Sequence, residues 1–159
     1  MISAALTGSG IVPFVAFSHA GQRLIDHDSL YLHHVRKLVN RSQPFDQTSL
    51  QLTYGAAILS FLGGPHWGFA FSEYATTSKW VKAGRLGWGV MPSLIAWPFI
   101  NCEKNLAIDG LSAGLATAFC VDGACAAARL LPSSYFRLRI IPTTFGILCM
   151  QSNHDRFSK

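Results

Sequence analysis

Charged residues divide the chain into apolar stretches joined by short polar connectors, the spacing expected of helices that cross a membrane. The most pronounced stretch runs from Gln47 to Ser72, with no Asp, Glu, Lys or Arg between Asp46 and Glu73. As a helix it would reach about 39 Å at roughly 1.5 Å per residue, against a hydrocarbon core of about 30 Å. Met1 to Ser18 is also uncharged and predicts a first span, with close helix contact at Gly8 and Gly10 and a local kink at Pro13. A cleaved secretory signal would open with a basic segment, which this stretch does not have. Leu86 to Cys102 is short for a span and bracketed by Pro92 and Pro98. Asn105 to Val121 is lined with small residues (Gly110, Ser112, Ala113, Gly114, Ala116, Ala118) of the kind that let helices approach closely. The last run, Ile140 to Ser152, is marginal at roughly 20 Å. The pattern therefore predicts an all-α, polytopic membrane protein forming one domain over 1–159. Its five spans fall at about 3–21, 49–72, 86–102, 105–121 and 139–152.

Between the first two spans, the connector 23–46 carries Tyr31, Leu32, Val35, Leu38 and Val39 at helical spacing, with His33, His34, Arg36 and Lys37 on other faces. A basic amphipathic helix in the headgroup layer fits this pattern, and an ordinary solvated connector is the alternative. Glu73 to Arg85 reads as a short basic connector with Trp80 as an interface anchor.

Composition supports the membrane reading. Half the residues are hydrophobic, only 13% are charged, and mean hydropathy is +0.28. Soluble domains carry about 25% charged residues, so an apolar soluble helical domain would lack the charge to cover its surface. The net charge of +5 is scattered over every loop without a basic, aromatic-interleaved stripe, which excludes a nucleic-acid footprint and suits anionic lipid headgroups. Lys and Arg number six on one side (Lys79, Lys82, Arg85, Arg129, Arg137, Arg139) and seven on the other (Arg23, Arg36, Lys37, Arg41, Lys104, Arg156, Lys159), so charge does not set the orientation. Cys102, Cys120, Cys125 and Cys149 form no Cys-x-x-Cys and are expected as buried free thiols.

Candidate chemistry concentrates in the second span. Pro65 breaks its hydrogen-bond ladder, which membrane helices tolerate where neighbouring protein satisfies the freed groups. Gly55, Gly63, Gly64, Pro65 and Gly68 are accordingly the expected helix-packing residues. His66 is an ionisable group at membrane depth beside Trp67, and the pair is the candidate cofactor or lipid contact. An interfacial histidine next to an indole is the simpler reading; a ligand to haem iron or chlorophyll magnesium, or a proton relay, is the sharper one. Asp122 with Arg137 and Arg139 is the expected structural ion pair. No metal set is expected, because adjacent His33 and His34 cannot share a helical face. Phosphate loops, dinucleotide fingerprints, nucleophile elbows and zinc-protease motifs are all missing, and only the second span looks broken. No catalytic residue is expected.

Several motifs occur together in order: Val12-Pro13-Phe14, Tyr54-Gly55-Ala56 through Trp67-Gly68, Pro92-Ser93-Leu94-Ile95-Ala96-Trp97, Asp122, Arg137-Leu138-Arg139 and Pro142-Thr143. In this the chain resembles the transmembrane-protein-69-like family of proteobacteria and mitochondria, over nearly its whole length apart from a longer 23–46 connector. The resemblance implies a five-helix protein of the mitochondrial inner membrane, and it brings no known activity or catalytic residues. A plastid or bacterial inner membrane is the alternative location. The expected role is that of a non-catalytic accessory subunit of a larger energy-transducing, respiratory-type membrane complex. Its partners would be other membrane subunits and anionic lipid, with bound lipid but no other cofactor. A membrane-embedded lipid or cofactor binder, a small transporter and an assembly factor are the alternatives.

Overall fold

The structure, a computed structural model, describes residues 46–72 and 78–154. The expected first span and the 23–46 connector up to Asp46 lie outside the described residues. All regular structure among the described residues is helical: α1 Gln47–Phe61, α2 Gly64–Ala70, α3 Lys79–Trp88, α4 Met91–Phe99, α5 Lys104–Ala127 and α6 Ser133–His154.

These six helices make four rods. α1 and α2 follow one another through Gly63, whose backbone stays near helical (φ −70°, ψ −33°). Pro65 has no N–H to donate, and the next amide, from His66, turns tightly back to the Gly63 carbonyl (3.1 Å). The inward stripe nonetheless keeps its phase across the break, through Leu52, Ala56, Leu59, Gly63, His66 and Ala70. α3 and α4 repeat the arrangement about Gly89 and Val90, with Pro92 opening α4 and Arg85, Pro92 and Ala96 turned inward. α5 and α6 are unbroken.

Residue contacts fix the directions. Lys104 Nζ lies 2.7 Å from Asp46 Oδ2, which joins the starts of α1 and α5. Gln151 Nε2 donates to Ser112 Oγ (3.2 Å), so α6 returns antiparallel to α5. α4 runs against α1, with Ser93 Oγ donating to the Ser60 carbonyl (3.5 Å). The core lies between α1, α4, α5 and α6, around Leu52, Leu59, Ile108, Leu111, Leu115 and Met150. Small residues on α5 let this core close. A Cβ on Gly114 would sit 2.5 Å from Leu59 Cδ2, and one on Gly110 would sit 2.1 Å from the Phe99 ring.

The helices depart from the sequence expectations in three places. The segment Lys79–Arg85, expected as connector, is helical, because Ser78 Oγ accepts from the Val81 amide (3.5 Å) and long basic side chains can leave a helix for the polar phase. The stretch 86–102 is therefore not one helix but the end of α3, a break and α4, and two rods are broken rather than one. α5 continues past Val121 to Ala127, since the Asp122 charge is matched inside the bundle. The last helix has 22 residues, about 33 Å, and includes Arg137, Arg139 and Pro142. Of the four free thiols, Cys149 is buried, Cys102 and Cys125 are half-buried, and Cys120 is exposed on the outer face of α5, where burial had been expected.

Candidate functional site

Each rod carries one inward stripe, and towards one end of the bundle three of these stripes bring a titratable residue to one cluster. On α5 the ladder Leu111, Leu115, Ala118 reaches Asp122 at helical spacing. On α6, Met150, Gly146 and Thr143 lead back to Arg139. On the first rod the stripe passes through His66. The three side chains meet. His66 Nε2 lies 2.8 Å from Asp122 Oδ1, and Arg139 Nη1 donates to Asp122 Oδ2. Arg139 Nη2 reaches Thr143 Oγ1 (3.5 Å). His66 and Asp122 are each 1% exposed, so solvent does not share in the pairing.

A carboxylate only accepts, so the tautomer that completes this pair is the one in which His66 donates through Nε2. Both Asp122 oxygens are thus occupied by donors from two other rods, and a single carboxylate ties α2, α5 and α6 together. His66 Nδ1 is buried and has no partner among the described residues. Among the described residues, no group of three or more His, Cys, Asp or Glu could hold a metal ion.

The other expected residues fall on different sites. Arg137 is exposed, its Nε turned back to the Ser133 carbonyl (3.4 Å); two residues from Arg139, it lies on another face of α6. Trp67 is half-exposed, whereas His66 is buried. Its Nε1 donates to the Leu86 carbonyl (2.8 Å) while its ring packs on Gly89. That carbonyl needs a donor, because the Val90 amide turns to the Gly87 carbonyl instead (3.0 Å). Gly55 is buried on α1, and Gly63 is pressed against Gly89. Gly64 and Gly68, expected against other helices, have nothing within 4 Å of an added Cβ among the described residues, because the 3.6-residue period puts them opposite the Gly63–His66–Ala70 stripe.

A second polar cluster, not anticipated from the sequence, closes the opposite end. Asn153 Nδ2 donates to Gln51 Oε1 (2.6 Å), and Gln51 Nε2 donates to the Cys149 carbonyl (3.1 Å). The available signal was an uncharged amide at an inward position of each stripe. Near it, Asp46 caps α1, accepting from the Thr48 amide (3.2 Å) and the Ser49 hydroxyl (2.5 Å). Burial pushes the Asp46 carboxyl up, but hydrogen bonds from Lys104 and Ser49 and the Lys104 charge outweigh it and hold the group below its ordinary value.

The molecule is thus a bundle of helical rods with a sealed histidine–carboxylate–guanidinium cluster at one end and an amide cluster at the other. The chain belongs to the family described as protein of unknown function (DUF3429), which it matches over residues 2–153. It is similar to Transmembrane protein 69 of Xenopus tropicalis, with 30% identity over 101 residues. That match covers 63% of this chain and 39% of the relative, so the chain spans about two-fifths of the relative's length. No solved structure matches.

Proposed function

We propose that the protein is a polytopic membrane protein whose four described rods, with the segment before them, cross the bilayer, and that it serves as a non-catalytic accessory subunit of a larger energy-transducing membrane complex. The mitochondrial inner membrane is the proposed location. The observation that carries this reading is the contrast between inside and outside. Polar side chains are tied to one another in the interior, while Phe61, Leu94, Trp97, Ile141, Phe145 and Leu148 project outward. α5 is long and apolar enough to cross a membrane, and only 33% of its apolar window is buried, whereas the core helix of a soluble protein would be mostly covered. Residues 47–70 and 79–99, each with its break, extend about 36 Å and 31 Å, also enough to cross. The name of the Xenopus relative agrees with this reading. Gly64 and Gly68, one turn apart and with open space beside both among the described residues, suit close approach of a neighbouring helix.

Two measurements test the proposal. Carbonate washing of membranes should leave the chain in the pellet, and blue-native electrophoresis after mild detergent should show it in a large assembly. Release by carbonate would overturn the membrane reading; migration as a free small protein would overturn the subunit reading.

A second reading, a small transporter, rests on the paired breaks. Gly63 and Gly89 touch, and His66, whose Nδ1 has no partner among the described residues, lies one turn beyond the first break. Proton or solute flux into vesicles reconstituted with the purified chain, abolished by His66→Ala, would favour it.

A further inference from the structure

We infer that the end of the bundle where α2 finishes, α3 begins and α5 turns into α6 is a docking surface for anionic phospholipid headgroups; the inference rests on the membrane reading above. Four contacts bring these segments together. Arg85 Nη2 donates to the Leu130 carbonyl (2.9 Å), clipping α3 to the α5–α6 turn. The Phe69 and Tyr135 rings meet edge to face at 5.5 Å, which sets the end of α2 against the start of α6. Lys82 Nζ sits 4.4 Å from the centroid of Phe71. His66 and Arg139 converge on Asp122 immediately beneath.

The surface so assembled is basic and aromatic. Lys79, Arg129 and Arg137 are exposed and Lys82 half-exposed, and among the described residues the one carboxylate at this end is Asp122, buried and already shared between two donors. Among the described residues, the opposite end carries Asp46, Glu103 and Asp109 against Lys104 and His154. Trp80, 88% exposed, and Phe71, 69% exposed, stand among the cations. A solvated loop facing an acidic protein needs no bare indole. A headgroup layer accommodates both, with the ring at the polar–apolar boundary and ammonium groups reaching the phosphates.

Backbone geometry at Arg129 adds an independent observation. The end of α5 is a Schellman motif: the Leu130 amide donates to the Cys125 carbonyl (2.8 Å) and the Arg129 amide to the Ala126 carbonyl (3.1 Å). The residue at the left-handed position, φ 58°, is ordinarily glycine, and here it is Arg129. A bulky, charged residue thus occupies a strained position, with its side chain exposed at the basic end.

The test uses the full chain purified in mild detergent and native mass spectrometry with phosphatidylglycerol and phosphatidylcholine as probes. Wild type should retain phosphatidylglycerol in preference to phosphatidylcholine. Lys79→Gln/Lys82→Gln should weaken that retention by on the order of tenfold or more, while Arg156→Gln/Lys159→Gln, with the same change in charge, should leave it unchanged. Arg129→Gly should raise the thermal midpoint by relieving the backbone and still lower phosphatidylglycerol retention, a split that a purely structural role would not produce. Equal retention of the two lipids, or equal loss in both double variants, would overturn the inference. So would loss of a co-purifying acidic protein from Lys79→Gln/Lys82→Gln without any lipid preference in wild type, which would assign the surface to a protein partner. Carbonate extraction of the same variants reports separately on membrane insertion, so a failure of the membrane reading is distinguishable.

Discussion

Gly63 and Gly89 meet backbone to backbone at the breaks of two neighbouring rods: a Cβ on Gly63 would stand 2.0 Å from the Gly89 carbonyl oxygen. Around this contact the breaks supply donors across the interface. Trp67 of the first rod donates to Leu86 of the second, and Ser93 of the second donates to Ser60 of the first. Each rod thus compensates for irregular backbone in the other, as a low-dielectric surrounding requires.

Gly63→Ala is therefore expected to destabilise the bundle by roughly 1–3 kcal/mol, since backbone rather than a flexible side chain must give way. Gly64→Ala and Gly68→Ala, with open space beside them among the described residues, should be neutral or slightly stabilising through helix propensity. Thermal unfolding of the three variants in one detergent checks the ordering; equal losses at all three would refute the contact.

Arg139→Gln and Arg137→Gln separate two residues that look alike in sequence. The first leaves the buried Asp122 carboxylate without its guanidinium partner, a loss on the order of 3–5 kcal/mol. The second alters an exposed side chain and should stay within about 0.5 kcal/mol. Denaturant titration with a helicity readout measures both.

At the amide end, Gln51→Leu alone removes the acceptor of the buried Asn153 Nδ2 and should cost about 1–3 kcal/mol. Combined with Asn153→Leu, the total should fall short of the sum of the single losses, because the two amides share one hydrogen bond and it can be lost only once. A double-mutant cycle that came out additive would mean that the two amides do not interact.

The Asp46 carboxyl is held below its ordinary value in the folded chain, so the unfolded chain binds the proton more readily. The stabilisation is fully present above the ordinary carboxylate range and is lost as pH falls through the lowered folded value. Asp46→Asn should flatten that acidic limb. Because the pair is 39% exposed on each side, screening keeps the effect to about 0.5 kcal/mol or less. Unfolding midpoints of wild type and variant across the acidic range give the comparison.

Much of the architecture could be read from residue order alone. Uncharged runs of spanning length, the helix-breaking Gly63-Gly64-Pro65 and the small-residue face of α5 follow from composition and period, and the family follows from motifs kept in order. The basic stretch Lys79–Arg85 misled because charge density resembles a connector, although a capped helix with long side chains accommodates it.

What tertiary structure alone decided is which polar residues are partners. Local sequence puts Arg137 and Arg139 on equal terms beside Asp122, and counting back from Met150 in steps of three and four selects Arg139 only once α6 is known to be one helix through Pro142. Nothing within its own segment directs His66 to a carboxylate 56 residues away, or Gln51 to an amide 102 residues away. Apolar burial is non-directional and leaves its period in the chain, whereas a hydrogen bond or ion pair needs a particular atom within about 3 Å, and that is fixed only when the rods have packed.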